Sequence, residues 1–158
     1  MKHVEMIPKK VVTIKEAQSI IAGWKLLGKT VGFTNGCFDI LHPGHIYSLS
    51  QTAKEADYLI VGLNSDESVK KLKGPSRPIN NQNNRKYILE SLKCVNEVAI
   101  FNEDTPLNII KKIKPNIIVK GGDYNKEQVV GYGLADVMIF NYLDGYSTTS
   151  IIKNISNR

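Results

Sequence analysis

The chain is 158 residues long and 42% hydrophobic, which supports one well-buried core and leaves little room for a second independent domain. Its charged fraction of 23% is that of an ordinary soluble chain, and the lack of any apolar run near the roughly 20 residues that span a bilayer argues against a membrane-inserted class. A net charge of +6 suits a polyanionic partner, either nucleic acid or a small phosphorylated substrate, and the positions of the cations must decide between them.

Residues 1–10 are basic but lead into Thr13, Lys15, Glu16 and Gln18 rather than a continuous apolar segment, so no secretory signal is expected. Over 13–27, Ile14, Ala17, Ile20, Ile21 and Trp24 recur at helical spacing, and Gly28 follows as a stop. This predicts a helix ahead of the sheet, with residues 1–29 as an N-terminal helical extension. The first strand is expected over 30–34. A helix follows over 46–56, with Ile46, Leu49, Ala53 and Ala56 on one face. A second strand covers 58–63, and a polar loop rich in Lys, Gly, Pro and Asn leads to a helix over 84–93 with Ile88, Leu89 and Leu92 inward. The third strand is 97–101. Pro106 suits the first turn of a helix reaching about residue 113, and 116–120 is β-rich. A fifth strand over 137–140 precedes a last helix that starts after Ser147, Thr148 and Thr149 and carries Ile151, Ile152 and Ile155.

Short apolar runs alternating with amphipathic stretches predict one α/β domain over 1–158, a Rossmann-like doubly wound fold with a five-stranded, mostly parallel sheet. Cys37 and Cys94 lie far apart without metal-like spacing. Free thiols of this kind fit a reducing compartment, so the cytoplasm is the expected location.

In such sheets, ligands bind beyond the carboxyl ends of the strands, where the strand order reverses. The residues after the first strand carry the strongest chemical signal: Thr34, Asn35, Gly36, Cys37, Phe38, Asp39, then His42, Pro43, Gly44 and His45 leading into a helix. Gly36 allows a tight turn, Pro43 suits an early helical position, and Gly44 lets an anion approach the helix N-terminus. His42 and His45 stand three positions apart and share a helical face, so both imidazoles can address one phosphate beside the positive end of the helix dipole. Two histidines on one face also suit zinc, but no third ligand stands at a recognisable spacing, and no metal ligand is assigned. Neither the Gly-x-Gly-x-x-Gly nor the P-loop pattern occurs.

This stretch resembles the His-x-Gly-His signature of the cytidylyltransferase-like nucleotidyltransferase superfamily. That resemblance implies that His42 and His45 bind the triphosphate and its transition state, with Thr34, Asn35, Gly36, Cys37, Phe38 and Gly44 forming the nucleotide turn. It also implies that Ser147, Thr148 and Thr149 bind the nucleotide's phosphates, in agreement with hydroxyls and free N–H groups at a helix start. Arg85 is similar to an arginine that contacts the triphosphate and joins the histidines as catalytic. Lys70 and Lys73 are expected to hold the acceptor's phosphate, with Asp39, Asn64 and Arg77 on the same side. The Lys120, Gly121, Gly122, Asp123 turn follows a strand end, where its backbone can read the base or ribose.

Within the superfamily, residues 12–155 look like the D-glycero-β-D-manno-heptose 1-phosphate adenylyltransferase branch, through residues 33–45, 61–78, 103–106, 119–124 and 144–149. In many bacteria that activity is half of a bifunctional kinase and transferase, and a chain of this size looks like a stand-alone transferase. Two departures are a shorter 130–136 segment, in a region expected near the base, and Pro43 in place of the branch's usual alanine.

The implied reaction joins AMP from ATP to heptose 1-phosphate and releases pyrophosphate, with Mg2+ carried on the nucleotide phosphates and water. The expected partners are ATP and a sugar phosphate, with no nucleic acid or membrane, in a homodimer or higher homo-oligomer. The rival reading is a cytidylyltransferase acting on glycerol 3-phosphate or a similar polyol phosphate. A nucleotide sensor or scaffold is the non-enzymatic alternative.

Overall fold

The computed structural model describes residues 11–141 and 143–157, and the readings placed on residues 1–10 lie outside them. Six strands form one sheet among the described residues: β1 (Val11–Val12), β2 (Val31–Gly36), β3 (Tyr58–Asn64), β4 (Glu97–Phe101), β5 (Ile117–Gly121) and β6 (Asp136–Phe140). Every pairing is parallel, in the order β1-β4-β3-β2-β5-β6. Without the two-residue edge strand β1, this is the expected five-stranded sheet, and its order reverses between β2 and β5. The helices are α1 (Ile14–Leu26), α2 (Pro43–Thr52), α3 (Asp66–Lys73), α4 (Gln82–Ser91), α5 (Leu107–Ile113) and α6 (Thr148–Ser156).

Successive strand residues point to opposite faces, and the core divides accordingly. Val31, Phe33, Ile60, Ala99 and Phe101 pack on one face with Ala17 and Ile21 of α1 and Ile109, Ile110 and Ile113 of α5. Leu59, Val61, Leu63 and Val98 pack on the other with Leu49 of α2 and Leu89 of α4. Both faces are therefore covered, which is why the central strands read as continuous apolar runs. Truncating a fully buried leucine such as Leu59 or Leu89 to alanine costs about 2 to 5 kcal/mol.

Three local expectations are corrected. Helix α1 does not precede the whole sheet, because Val11 and Val12 pair with Val98 and Ala99 before it; a two-residue strand has no periodicity to read. The polar loop after β3 contains α3. Ser65 accepts from Ser68 N, Asp66 and Glu67 occupy the first turn, and Lys70, Lys71 and Lys73 the last, so the charges oppose the helix dipole at each end. Val69 is fully buried but Leu72 is half-exposed, which leaves too narrow an apolar stripe for periodicity to detect. Finally, α2 starts at Pro43 and ends at Thr52, earlier at both ends than the expected 46–56, because Pro43 supplies the preset φ of a first helical residue.

Segment 130–136 also lies elsewhere than expected. Tyr132 and Gly133 line a cleft with Ile117 and Asp136, the starts of β5 and β6, at the sheet edge opposite the carboxyl ends. A parallel connection must return the chain to the starting edge before the next strand begins, so this segment lies away from the carboxyl edge, where such sheets bind ligands.

Candidate active site

The carboxyl end of β2 opens a turn that carries the two histidines onto α2. Phe38 has φ 46°, and its ring lies over Gly36, where a Cβ would sit 3.0 Å from Phe38 Cε2. His42 is the N-cap residue of α2 but makes no side-chain capping bond. Its ring folds back over the helix start instead: a Cβ on Gly44 would lie 3.1 Å from His42 Nδ1 and Cε1. Gly44 therefore gives room to His42 itself, which is a different reason for a glycine here than close approach of an anion. The two imidazoles stack with centroids 3.8 Å apart and planes 22° apart, and Phe38 covers His45 at 5.2 Å.

Burial, followed by the positive charge of His42, pushes the His45 imidazole down to about 4, and burial also holds His42 below its ordinary value. Both rings are consequently neutral near pH 7. The Nδ1 atoms of both are buried and make no hydrogen bond of good geometry, although the backbone of Ile40 beside His45, and that of His42 beside its own ring, act against the effect of burial.

The start of α6 faces the same space. Tyr146 lies 6.4 Å from His42 in a near-parallel stack, and Thr148 Oγ1 donates to Ile40 O at 3.4 Å, which ties α6 to the histidine turn. Ser147 caps α6 by accepting from Ser150 N at 3.0 Å, while Thr149 is exposed. Neither α2 nor α6 carries an acid in its first turn. Two helix N-termini thus converge with hydroxyls, imidazoles and uncompensated positive dipole ends, the composition of a polyphosphate site.

Several expected residues take other positions. Arg85 is 1% exposed. Its Nη1 donates to Cys37 O at 2.6 Å and Asn64 O at 2.8 Å, its Nε to Asn80 O at 2.9 Å, and its Nη2 to Asp66 Oδ1 at 2.7 Å. The guanidinium joins the ends of β2 and β3 to the starts of α3 and α4, so it positions the turn from behind rather than facing the cleft. Asp39 is also buried. Burial alone would raise its carboxyl, but the N–H groups of Asn80 and Ile79 and the Arg77 guanidinium hold it below the usual range. Asn64 donates to Ser68 Oγ at 2.9 Å inside the protein. Asp39, Arg77 and Asn64 are therefore occupied in shaping the loops.

On the other side of β2, Lys120 is half-buried near the end of β5, and burial lowers its ammonium with Lys73 adding repulsion. Burial raises the Cys37 thiol, although Lys73, Arg85 and Arg77 act against that rise. Both effects set Lys73 near the histidine turn. Gly122 has φ 117° and donates its N–H to Phe140 O at 2.9 Å, while Asp123 is exposed. Lys70 lies further along, in a cleft of about 700 Å³ between α3, α4 and the end of β4. Asn80, Asn81 and Gln82 are site-shaping residues that sequence reasoning missed. Their signal was weak, an asparagine-rich run read as an ordinary loop.

Comparison with known proteins identifies the family and the fold. The cytidylyltransferase-like family profile matches residues 33–154. The bifunctional protein HldE of Aliarcobacter butzleri is 54% identical over 144 residues, covering 90% of this chain and 30% of that protein. Its namesake in Caulobacter vibrioides is 47% identical over 154 residues, covering 94% of this chain and 32% of that one. The chain thus spans under a third of these curated relatives. The solved lipopolysaccharide core biosynthesis protein of Thermoplasma volcanium superposes with a TM-score of 0.62 at 27% identity, covering 76% of this chain and 100% of that one. The pantoate-beta-alanine ligase of Francisella tularensis shares the fold alone, with a TM-score of 0.60 at 17% identity over 93% of this chain and 76% of that one. From its histidine turn through α6, the chain belongs to the cytidylyltransferase-like family.

Proposed function

We propose that the protein is a nucleotidyltransferase that transfers AMP from ATP to D-glycero-β-D-manno-heptose 1-phosphate, giving ADP-heptose and pyrophosphate. The observation that carries this reading is the stacked pair of half-buried, neutral histidines, set where two acid-free helix N-termini converge. Membership of the family supports nucleotidyl transfer. The choice of acceptor is supported by the heptose-branch segments, by HldE relatives at about half identity, and by the likeness to a lipopolysaccharide core biosynthesis protein.

In this reading a phosphate oxygen of the sugar attacks the α-phosphorus in line, the bond from that phosphorus to the β-phosphate bridge breaks, and pyrophosphate leaves. His42 and His45 donate hydrogen bonds to the charge that builds on the phosphates, and Ser147, Thr148 and Thr149 with the α6 start hold the departing end. Arg85 acts as a positioning residue through the Cys37 carbonyl. No nucleophilic side chain is required, because the work is alignment and charge stabilisation. Mg2+ would be held through phosphate oxygens and water and would supply charge neutralisation there.

Lys120, Gly121, Gly122 and Asp123 are assigned to the nucleoside, and Lys70 and Lys73 to the acceptor side. No helix among the described residues is long and apolar enough to cross a membrane, and cytoplasmic action as a homodimer or higher homo-oligomer completes the proposal. The test is pyrophosphate release with each nucleoside triphosphate, Mg2+ and a panel of sugar and polyol phosphates. ATP with heptose 1-phosphate is the expected pair. CTP with glycerol 3-phosphate would favour a cytidylyltransferase, and binding without release would favour a sensor.

A further inference from the structure

Four rings adjoin in sequence at the carboxyl edge of the sheet. Phe38 packs on His45 with centroids 5.2 Å apart, His45 on His42 at 3.8 Å, and His42 on Tyr146 at 6.4 Å with planes 19° apart. Phe38 is buried and Tyr146 is 46% exposed, so the column runs from the core to the surface. Tyr146 has no part in the transfer as described. The face of an aromatic ring is its negative side, which makes it a poor ligand for a polyphosphate, and the hydroxyls suited to one follow it at Ser147, Thr148 and Thr149.

The backbone brings Tyr146 to this place from both sides. Before it, Gly145 turns with φ 84°, a conformation that other residues reach only with strain. After it, Ser147 caps α6 by accepting from Ser150 N at 3.0 Å, and Thr148 Oγ1 donates to Ile40 O at 3.4 Å. A Cβ on Gly44 would lie 3.1 Å from the His42 ring and 3.4 Å from Tyr146 Cβ, so both side chains close over the same glycine. His42 is the N-cap residue of α2 without a side-chain capping bond. Packing therefore sets the plane of its ring, and the two rings that it stacks on are His45 and Tyr146. Their separations suit attraction, since aromatic pairs settle with centroids up to about 7 Å apart.

We infer that Tyr146 is a positioning residue of the transfer site: its ring holds the His42 imidazole against His45, so that the two imidazoles meet the nucleotide's phosphates as one fixed pair. The assignment rests on the transferase reading above and adds to it the link by which α6 sets the geometry of α2. With Nδ1 buried in both imidazoles, Nε2 is the nitrogen left to meet the phosphates, and its direction follows the ring plane that Tyr146 fixes. Tyr146 acts through His42 and touches neither the nucleotide nor the acceptor.

The experiment compares Tyr146→Ala and Tyr146→Phe with the wild type and His42→Ala in steady-state transfer from ATP to heptose 1-phosphate, alongside proton NMR titration of the histidine rings. Tyr146→Ala is expected to lower kcat about tenfold, as a misplaced reacting group does, with the KM for ATP within about twofold. Tyr146→Phe is expected to restore turnover, because the ring is used and the hydroxyl is not. The His42 titration, held below its ordinary value by burial, is expected to move up in Tyr146→Ala and to stay in place in Tyr146→Phe. Adding Tyr146→Ala to His42→Ala is expected to change kcat no further, since two residues that act as one do not add their losses. Additive losses, a raised KM with kcat intact, or failure of phenylalanine to restore turnover would each overturn the assignment. An unchanged His42 titration in Tyr146→Ala overturns it independently of turnover. A wild type that transfers nothing overturns the transferase reading, and the titration then still decides whether Tyr146 holds His42.

Discussion

Helices α2 and α3 both begin at the carboxyl edge of the sheet, yet their first turns are opposite in character. At α3, Ser65 caps Ser68 N, Asp66 N–H is taken by Gln82, and Asp66 and Glu67 set negative charge on the positive end of the dipole. At α2 the cap position is a histidine without a capping bond, the next residue is a proline, and no acid is present. One helix satisfies its own N-terminus and the other leaves it open. The difference teaches where an external anion belongs: α6, also without a first-turn acid, points to the same place as α2, whereas α3 already carries its own negative charge.

The largest expected effect comes from breaking the link between the two regions. Arg85→Met removes four hydrogen bonds from a buried guanidinium and leaves three backbone carbonyls and Asp66 without that donor. A stability loss of about 3 to 5 kcal/mol is predicted, the scale of a broken buried charge pair, measured by urea denaturation. Stability equal to the wild type would mean that the turn is held by other contacts.

Removing either imidazole from the open end comes next. His42→Ala and His45→Ala are each expected to lower turnover by on the order of a hundredfold or more while the fold persists, as deletion of a transition-state donor does. The check is steady-state pyrophosphate release alongside circular dichroism. Near-normal rates in both variants would remove these histidines from the chemistry.

Much of this contrast was legible in the sequence because its signals are local. His42, Gly44 and His45 lie within one helical turn, and Ser147 to Thr149 are contiguous, so spacing alone set both groups at helix starts. The strands were legible for a related reason: burial on both faces turns 58–63 and 97–101 into plain apolar runs. What was hidden depends on partners distant in the chain. Arg85 reads as a triphosphate contact until its carbonyl partners at Cys37 and Asn64 are known, and Asp39 reads as a substrate contact until Arg77, Ile79 and Asn80 are found around it. Strand β1 exists only through its register with Val98 and Ala99. The 130–136 segment was misplaced because composition does not report which sheet edge a parallel connection crosses.

A smaller effect sharpens the comparison by making α6 more like α3. Thr149→Asp puts an acid in an exposed first turn, where it interacts with the dipole by about 0.3 to 1 kcal/mol. The apparent Michaelis constant for ATP is expected to rise several-fold without loss of melting temperature. Unchanged ATP kinetics would place the triphosphate away from α6.

The last effect concerns acid. His45 in the folded protein titrates at about 4, below its ordinary value of about 6.5, so between these pH values the unfolded chain binds a proton that the folded chain does not. Stability is therefore fully present above about pH 6.5 and falls as pH drops towards 4. His45→Asn is expected to flatten this part of the melting profile. A wild-type profile that is flat or rises on acidification would contradict the burial assigned to His45.

The most direct test of the whole account is a single reaction containing the protein, Mg2+, heptose 1-phosphate, glycerol 3-phosphate and equal amounts of ATP and CTP, followed by phosphorus NMR. In the proposed mechanism His42, His45 and α6 hold the phosphates whichever base they carry, so the product reports the base and acceptor pockets. A base pocket that leaves one or two polar groups unpaired with the wrong base discriminates by about 1 to 3 kcal/mol for each. The account predicts ADP-heptose and pyrophosphate in equal amounts as the dominant products. CDP-glycerol as the dominant product, or no pyrophosphate at all, would contradict it.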